Sequence, residues 1–513
     1  MKYYGFLFGA AVSMLMLSNF WQPALSHAED KPNLVLIYAD DIGFGDVGCY
    51  GATAVATPNI DRLAKAGIRF TDAHSAAATC TPSRFAMLTG LYAWRQEGTG
   101  IARGDAASII SPGTTTLASI FQEAGYKSSV VGKWHLGLGS GQLNWNERIA
   151  PGPLELGFDE CFIMPATGDR MPVVYVENDR VANLDPADPI SVSFDKPIGD
   201  EPTGAKNPEL LRQSLSHGHD NTIHNGVSRI GFMSGGKSAR WIDEDMADTF
   251  TTKACDFIDR QGKAEQPFFL FLSLHDIHVP RLPHKRFVGT TKMGPRGDAI
   301  AQTDWCVGEV LKQLESNGIV ENTLVVFSSD NGPVLDDGYN DDAVKKLGKH
   351  DPAGGFRGGK YSAYEAGTRV PMVARWPAKI PAGKVSSALM CQIDFCASIA
   401  SILGLTLHPE ECQDSREHVS ALFGEDERGR WFLVEQSKTL SLRHGEWKYI
   451  QPTDGPSKLA ATNTESGFSK SPQLYNLNED PKERNDLAKK YPKKIEEYEV
   501  IMKRLRNEVQ LKR

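Results

Sequence analysis

Short apolar runs alternate with helical patterns along most of this chain. Five runs are bounded by Gly, Pro or Asp and are short enough to be buried strands: 34–39, 128–131, 268–274, 324–329 and 370–376. Helical periodicity and capping residues between these runs predict helices at 57–66, 114–124, 243–260 and 298–317. Strands that alternate with helices predict an α/β fold with a large, mostly parallel sheet flanked by helices.

Polar residues follow four of these predicted strands at the point where each strand ends. Ligands of open α/β sheets gather beyond the carboxyl ends of the strands. The sequence therefore predicts one site, built from Asp40 and Asp41 after the first strand, Lys133 to His135 after the second, His275 to His278 after the third, and Asp330 and Asn331 after the fourth.

The pattern changes near residue 430. Short alternating segments at 431–435, 446–451 and 474–477 precede a charged helical stretch from Lys489. We therefore expect an N-terminal catalytic domain over 29–429 and a small antiparallel α+β subdomain over 430–513. The stretch 168–236 is rich in Pro, Asp, Asn and His and has little periodicity, which favours loops that face a ligand.

The first 28 residues have the pattern of a secretory signal. Lys2 precedes apolar stretches at 3–17 and 20–28, and Ser26 and Ala28 fit the small-residue positions of a cleavage site. A membrane anchor is disfavoured because the apolar run is shorter than the roughly 20 residues of a spanning helix. We expect cleavage after Ala28, no transmembrane anchor afterwards, and a secreted or periplasmic protein.

Charge and cysteine content narrow the possible partners. A formal net charge of -8 and a pI near 5.9 argue against binding to nucleic acid or to an anionic membrane, since either needs a basic surface. The eight cysteines are widely and irregularly spaced, which suits neither a disulfide scaffold nor a zinc site. Any anionic ligand must therefore be attracted by a local cationic pocket.

Two segments carry a family resemblance. Residues 80–84, CTPSR, followed by FAMLTG, resemble the first signature of the type I sulfatases, and residues 125–135, GYKSSVVGKWH, resemble their second signature. The similarity extends from about Lys31 to Leu487. It implies an alkaline-phosphatase-like fold and a nucleophile made by oxidation of Cys80 to formylglycine (3-oxoalanine), which needs a formylglycine-generating or anaerobic sulfatase-maturing enzyme as a partner.

The chemistry implied by this resemblance is sulfate ester hydrolysis. One hydroxyl of the hydrated aldehyde attacks sulfur and the alcohol leaves; the second hydroxyl then releases sulfate, so the nucleophile resets itself. A hydroxyl needs a metal or a base for activation. Family resemblance assigns one Ca²⁺, a cation that prefers oxygen ligands, to Asp40, Asp41, Asp330, Asn331 and the modified Cys80.

The remaining matches to the family supply cations and proton donors. Arg84 lies one helical turn beyond Cys80, so it can hold the nucleophile's oxygen, and Lys133 and His135 match the pair that fixes the formylglycine and assists breakdown of the sulfated hemiacetal. His278 matches a histidine that contacts sulfate and can protonate the leaving oxygen, and Lys360 matches a sulfate-binding lysine that could share that role. His275 is a looser candidate, with a structural role equally open.

Loop sequences suggest a substrate class. Residues 38–41, 50–51, 168–170 and 216–221 look like the subgroup that removes 6-O-sulfate from galactose or N-acetylgalactosamine. Asp169 and Arg170 could together read one sugar hydroxyl such as the axial O4, although an ordinary surface ion pair is the alternative. His217 and His219 are further substrate-binding candidates. An exo-acting enzyme is expected, because the long loops could close a pocket.

Other functions remain open at this stage. The substrate could be another sulfated sugar or an aryl sulfate, and the same fold also supports phosphoester and phosphonate hydrolases. Two-zinc phosphatases need additional His and Asp ligands and usually a Ser or Thr nucleophile, which the Cys80 signature disfavours. A chain with unmodified Cys80 would be a non-enzymatic binder of sulfated glycans.

Overall fold

Ten strands form the central sheet of the molecule. The computed structural model describes Met1 and residues 31–507. In chain order the strands are β1 (Asn33–Ala39), β2 (Ile68–Phe70), β3 (Lys127–Lys133), β4 (Glu160–Met164), β5 (Val176–Glu177), β6 (Arg180–Val181), β7 (Phe268–Ser273), β8 (Thr323–Ser329), β9 (Met372–Arg375) and β10 (Lys384–Ser386).

The sheet has the order β10-β2-β9-β8-β1-β7-β3-β4-β5-β6. Its centre, from β8 to β4, is parallel, while β9 runs antiparallel to both of its neighbours and β5 runs antiparallel to β4 and β6. The predicted large sheet is confirmed, with these two strands making it mixed. The central strands are buried along almost their whole length, as expected for parallel strands covered on both faces.

Helices pack in two groups around the sheet. The helices are α1 (Pro58–Lys65), α2 (Cys80–Thr89), α3 (Leu117–Glu123), α4 (Met246–Gln261), α5 (Pro295–Ser316), α6 (Ala343–Lys346), α7 (Phe395–Ile402), α8 (Val419–Leu422) and α9 (Pro492–Asn507). Helix α5 contacts α1 and α4, whereas α2, α3 and α7 contact one another. The four helices expected from periodicity correspond to α1, α3, α4 and α5.

A second, antiparallel sheet lies near the C-terminus. Its strands are β11 (Phe432–Gln436), β12 (Leu440–His444), β13 (Trp447–Ile450) and β14 (Gln473–Asn476), in that order. Helix α9 contributes Tyr498 and Met502 to an apolar cluster with this sheet. Backbone bonds at Gln436 join β11 to Ala76 and Ala78, just before α2. The predicted small antiparallel sheet is therefore present and lies close to the segment that carries Cys80.

Short elements complete the described part of the chain. Single-turn 3₁₀ helices occur at Phe44–Asp46, Gly48–Tyr50, Ala93–Arg95, Leu154–Leu156, Pro208–Leu210, Lys237–Ala239, Asp243–Asp245, Glu365–Gly367 and Gln392–Asp394. Two-stranded pairs join Ala73–His74 to Met390–Cys391, Ser191–Ser193 to Phe232–Ser234, Ile223–His224 to Val227–Ser228, and Lys458–Leu459 to Thr464–Glu465. The predicted loop region 168–236 contains only short elements, among them the two-residue strands β5 and β6 of the central sheet.

The chain divides into a unit Met1–Lys31 and a unit Pro32–Arg513. The expected signal peptide 1–28 lies, apart from Met1, outside the described residues, and the expected boundary at 429/430 stays a prediction. Among the described residues, no helix combines the length and the apolar character that crossing a membrane requires. All eight cysteines, each within the described part, are unpaired.

Candidate active site

The four predicted strand ends meet at one buried cluster. Asp40, Asp41, Asp330 and Asn331 are all fully buried. Asn331 Nδ2 donates to Asp41 Oδ1 at 2.7 Å, and the Asp41 backbone N–H donates to Asp330 Oδ1 at 3.3 Å. Asp40 Oδ1 and Asn331 Oδ1 have no hydrogen-bond partner among the residues that the structure describes. Unpartnered buried oxygens are costly, and here they converge with other oxygen donors.

Three cations surround these carboxylates. Lys133 Nζ donates to Asp40 Oδ2. Arg84 Nε donates to Asp330 Oδ2 at 2.9 Å, and Lys360 Nζ donates to Asp41 Oδ2 at 2.9 Å. We call Asp40, Asp41, Asp330 and Asn331, together with these three cations, the strand-end cluster. Each of its acids has a cationic partner, and Asp330 has Lys133 at 3.9 Å as a second one.

Electrostatics show that the strand-end cluster can accept more positive charge. Burial, followed by the neighbouring charge of Asp330, raises the pKa of Asp40 well above its usual range, and burial also raises the pKa of Asp41. Burial opposes ionisation of Asp330 as well, but Arg84 and Lys133 outweigh it and lower its pKa. A bound divalent cation would favour the ionised form of all three acids.

The donor set fits a hard cation. Carboxylate and amide oxygens are the ligands that Ca²⁺ and Mg²⁺ prefer, whereas zinc favours nitrogen and sulfur. Asp40, Asp41 and His278 each offer one ligand atom within 4.8 Å of the others. The two unpartnered oxygens, on Asp40 and Asn331, are the observation that supports a metal at this position.

Cys80 begins helix α2 beside the strand-end cluster. Its thiol is 2% exposed, and Lys133, Lys360, Asp330 and Asp40 are its electrostatic neighbours. Burial raises the pKa of the thiol in spite of the two lysines. A cysteine that reacts as a thiolate normally has a lowered pKa, so the raised pKa disfavours the thiolate form of Cys80.

Arg84 lies on the same helix, one turn after Cys80. Its guanidinium is 1% exposed and binds Asp330, the Lys133 carbonyl at 3.2 Å and Ser273 Oγ at 2.5 Å. The arginine therefore joins α2 to the ends of three strands. This network fixes the position of Cys80 relative to the acids.

His135 is a buried, neutral histidine. Its Nε2 bonds to the Ala102 carbonyl at 3.0 Å, which requires a proton on Nε2 and leaves Nδ1 as an acceptor. Within the described part of the chain Nδ1 has no hydrogen-bond partner. Burial, together with Lys133 and Arg170, lowers the pKa of His135 well below its usual value. The ring can thus accept a proton at Nδ1.

His278 and His275 follow β7 and differ in their surroundings. His278 Nδ1 donates to the Val279 carbonyl at 2.7 Å, and burial together with Lys360 and Lys133 lowers its pKa well below the usual value. His275 Nε2 accepts from the Gly168 backbone N–H at 3.1 Å, and burial lowers its pKa to about 3. His275 thereby holds the 168–170 loop, which fits the structural alternative for this residue.

Three of the four substrate-binding candidates lie together. Arg170 Nη1 donates to Asp169 Oδ1 at 2.7 Å, and His219 Nε2 lies 2.9 Å from Asp169 Oδ2. His219 Nδ1 lies 3.0 Å from the His217 carbonyl, so both ring nitrogens face acceptors and the ring is held as an imidazolium. The Asp169 interactions raise the pKa of His219 against the effect of burial.

Arg170 reaches toward the strand-end cluster from these loops. Cys80, Tyr361 and Asp337 are among its electrostatic neighbours, so it lies near the candidate nucleophile. His217 stands apart: its ring centroid is 6.2 Å from that of His219, and its Nδ1 bonds to Ser216 Oγ at 3.0 Å.

Sequence reasoning missed two residues of this pocket, Asp337 and Tyr361. Asp337 Oδ2 accepts from Lys360 Nζ at 2.9 Å, and the Tyr361 hydroxyl lies 3.2 Å from both oxygens of Asp337. The available signals were weak: an Asp-Asp-Gly turn shortly after Asn331 and a tyrosine next to Lys360. Such turns are common on protein surfaces and indicate no chemistry by themselves.

The fold and this constellation define an α/β protein with a buried, oxygen-rich cluster suited to a hard cation and with cationic side chains around it. Residues 32–405 match the Sulfatase family. The chain belongs to the sulfatase family and is a sulfuric ester hydrolase. The resemblance seen in the two signature segments is thereby confirmed.

Individual relatives cover nearly the whole chain. An N-acetylgalactosamine-6-O-sulfatase of Bacteroides thetaiotaomicron is 50% identical over 475 residues, 92% of each chain. An N-acetylgalactosamine-6-sulfatase of Canis lupus familiaris is 30% identical, covering 90% of this chain and 82% of its own. A structure solved in work on glycosaminoglycan metabolism by Bacteroides thetaiotaomicron superposes with a TM-score of 0.91 at 50% identity, covering 93% of this chain and 99% of that one.

Proposed function

We propose that this chain is an exo-acting carbohydrate sulfatase that removes 6-O-sulfate from galactose or N-acetylgalactosamine in sulfated glycans. The observation that carries the proposal is the position of Cys80 at the start of α2, beside three buried acids and their cationic partners. The 50% identity to an N-acetylgalactosamine-6-O-sulfatase supports the sugar and the sulfate position.

Two groups complete the proposed site. Formylglycine at Cys80 would supply a hydrated aldehyde in place of a thiol, as a nucleophile that regenerates itself. Ca²⁺ held by Asp40, Asp41, Asp330 and Asn331, with the modified Cys80, would polarise sulfate and the nucleophile's oxygen. The resemblance of residues 80–90 to the first sulfatase signature supports the first assignment, and the unpartnered oxygens of Asp40 and Asn331 support the second.

The chain's own side chains hold the nucleophile, accept a proton and bind the sulfate. Arg84 and Lys133 hold the nucleophile and neutralise the acids behind it. His135, neutral with a free Nδ1, is placed to accept a proton during release of sulfate. Lys360 remains an ammonium, since its acidic neighbours raise its pKa against the effect of burial, and it binds the sulfate oxygens.

His278 is the proposed general acid. In the free enzyme its Nδ1–H donates to the Val279 carbonyl, so a proton for the leaving oxygen must come from Nε2. The nearby lysines disfavour the second proton that this requires. The negative charge of a bound sulfate ester offsets Lys360 and Lys133, and thus raises the pKa of His278 when the proton is needed.

Recognition of the sugar is assigned to the 168–170 and 216–219 loops. Both oxygens of Asp169 already accept hydrogen bonds, from Arg170, His219 and Thr167. We therefore assign Asp169 to holding Arg170 and His219, and assign Arg170 to donation to a sugar hydroxyl such as the axial O4. His217 is assigned to the edge of the pocket. Exo action is proposed because these loops could close a pocket.

The remaining assignments concern the setting of the enzyme. We infer that residues 1–28 export the chain to the periplasm or beyond, where sulfated glycans are accessible. A formylglycine-generating or anaerobic sulfatase-maturing enzyme is the required partner. Neither nucleic acid nor a membrane is expected as a partner, given the net charge of -8.

The test combines mass spectrometry with assays on defined sugars. In active enzyme, the tryptic peptide that contains Cys80 should carry an aldehyde, and a calcium chelator should abolish activity until Ca²⁺ is restored. The 6-sulfated galacto sugars should be hydrolysed at least about 100-fold faster than 6-sulfated N-acetylglucosamine, because a site built for a hydroxyl discriminates strongly. Unmodified Cys80 in fully active enzyme would overturn the mechanism.

Specificity is tested with matched arginine variants. Arg170→Ala should lose most of the galacto over gluco preference, and Asp169→Ala should do the same by releasing Arg170. Arg260→Ala, an exposed arginine of α4 paired with Glu160, should leave the preference intact. Equal turnover of the two epimers by the unmodified sequence, or an unchanged preference in both pocket variants, would refute the assignment of the sugar.

A further inference from the structure

Lys360 is held between two carboxylates in the pocket. Its Nζ is 2.9 Å from Asp41 Oδ2 and 2.9 Å from Asp337 Oδ2. An ammonium has three N–H groups, so these two bonds leave one N–H for a ligand. Asp41 belongs to the proposed metal site, whereas Asp337 has no role in the reaction as described so far.

Asp337 is itself fixed by its neighbours. The Tyr361 hydroxyl bonds to its carboxylate at 3.2 Å. The next residue, Gly338, has a φ of 115°, and a Cβ there would lie 2.1 Å from His219 Nδ1, so only glycine allows this close approach. The Gly338 carbonyl also accepts from the Ser216 backbone N–H at 3.1 Å. The loop that carries Asp337 therefore packs directly on a substrate loop.

The charge of Asp337 is unexpected in an anion-binding pocket. Its side chain is 13% exposed, and it is an electrostatic neighbour of Asp41 and Arg170. By charge alone, a carboxylate here weakens binding of an anionic sulfate ester. Its position next to Lys360 therefore indicates a role other than strengthening substrate binding.

We propose that Asp337, supported by Tyr361, is a positioning residue that holds the Lys360 ammonium in the orientation needed for sulfate transfer. The proposal rests on the role proposed above for Lys360 as a sulfate-binding residue. Asp337 acts only through Lys360. Together with Asp41 it accepts hydrogen bonds from two of the three N–H groups of the ammonium, and the third N–H is thereby directed toward the reacting group. Asp337 itself makes no contact with the substrate.

The kinetic signature separates positioning from simple charge. Asp337→Ala should lower kcat about 30- to 100-fold, as expected when a catalytic group is misplaced. The KM should stay unchanged or fall, because the pocket loses a negative charge. Asp337→Asn keeps an acceptor for Lys360 and should recover part of the lost kcat, and Tyr361→Phe should cost about 3- to 10-fold. The exposed acid Asp342 of the same region supplies the control Asp342→Asn, which should leave kcat unchanged.

A double-mutant cycle provides the decisive experiment. Lys360→Ala alone tests the proposed function: if it leaves hydrolysis of a 6-sulfated sugar intact, the role of Lys360 fails. If it lowers kcat, Asp337→Ala added to Lys360→Ala should have no further effect within about twofold, because Asp337 has nothing left to position. An equal loss in the presence and absence of Lys360, or a rise in KM with unchanged kcat, would overturn the proposal. Thermal unfolding of each variant identifies any loss of fold.

Discussion

Two buried clusters of acids and cations in this molecule have similar compositions. They differ in whether all of their acceptor oxygens have hydrogen-bond or ion-pair partners. The strand-end cluster holds Asp40, Asp41 and Asp330 with Lys133, Lys360 and Arg84. A second cluster, which we call the joining network, connects the central sheet to the C-terminal sheet and contains Asp72, His74, Glu365, Arg369, Glu435, Arg443 and Lys448. Both contain a group of side chains that could hold a metal ion.

The carboxylates of the joining network are fully paired, although Arg369 Nε and Arg443 Nε have no hydrogen-bond partner among the described residues. Glu365 forms ion pairs with Arg369 at 2.8 Å, with Lys448 at 3.1 Å, and with Arg443. His74 lies 2.8 Å from Asp72 and 2.9 Å from Glu435, so an imidazolium there is paired on both sides. Every carboxylate oxygen of Asp72, Glu365 and Glu435 has a partner within the described chain. The network therefore offers no free ligand for a metal.

The strand-end cluster instead leaves oxygens without partners at the carboxyl edge of the sheet. The two clusters thus have different roles. In the joining network all carboxylates are paired internally and hold the two sheets together. In the strand-end cluster some oxygens stay available for a ligand. This contrast predicts that variants in the strand-end cluster lose activity, while variants in the joining network lose stability.

The largest expected effect is on activity at the strand-end cluster. Asp40→Asn should lower kcat/KM by about 10³-fold, since it removes a proposed metal ligand. The metal-free protein should lose less than about 1 kcal/mol of unfolding free energy, because the buried site already disfavours the charge of Asp40 and asparagine keeps an acceptor for Lys133. Denaturant unfolding and steady-state kinetics measure the two quantities. Activity within tenfold of the original would argue against metal binding by Asp40.

The opposite pattern is expected in the joining network. Glu365→Gln should cost about 3 kcal/mol of unfolding free energy, since Arg369, Arg443 and Lys448 each lose one buried carboxylate partner, which leaves Arg443 with Asp72 and Lys448 with Glu435. At a temperature where the variant is folded, kcat should change by less than about tenfold. Glu309→Gln, a partly exposed acid of α5 paired with Lys312, is the matched control and should change stability by less than about 0.5 kcal/mol. A large loss of kcat without a loss of stability would contradict the prediction that the joining network serves stability rather than activity.

The strand-end cluster could be predicted from sequence and the joining network could not. Asp40, Lys133, His278 and Asp330 each follow a hydrophobic run, and the parallel sheet brings strand ends together whatever the loop details. Members of the joining network such as Asp72, Glu365 and Arg443 lie on short strands or turns far apart in the chain. A charged residue in such a setting usually faces solvent, so its burial appears only in the assembled fold.

Helix α2 illustrates another limit of sequence patterns. All ten of its residues are buried, from Cys80 to Thr89, including Arg84 and Ser83. A helix that is buried on every side lacks the amphipathic stripe on which periodicity depends. Asp337 and Tyr361 were missed for a related reason, because their positions depend on how two loops pack rather than on a strand end.

Measured per pH unit, the smallest expected effect concerns the pH dependence of the joining network. Glu483 is buried beside the network, and its Oε2 accepts from the Glu365 backbone N–H at 2.7 Å. Burial, with the charges of Glu365 and Glu435, outweighs Lys448 and raises the pKa of Glu483 to about 8. The carboxyl is therefore largely neutral at neutral pH.

A pKa raised in the folded state means that the native protein holds a proton that the unfolded chain releases. The stabilisation is fully present below the unfolded pKa of about 4.3 and is lost as pH rises toward 8, with a slope of up to about 1.4 kcal/mol per pH unit. Glu483→Gln keeps a neutral acceptor and should remove this slope, so the variant should be close to the original protein in stability near pH 5 and more stable than it near pH 7. His74, whose pKa is also raised, should leave a residual decline above about pH 6.5. Urea unfolding of both proteins between pH 5 and 8 tests this, and parallel stability curves would show that Glu483 is already ionised in the native state.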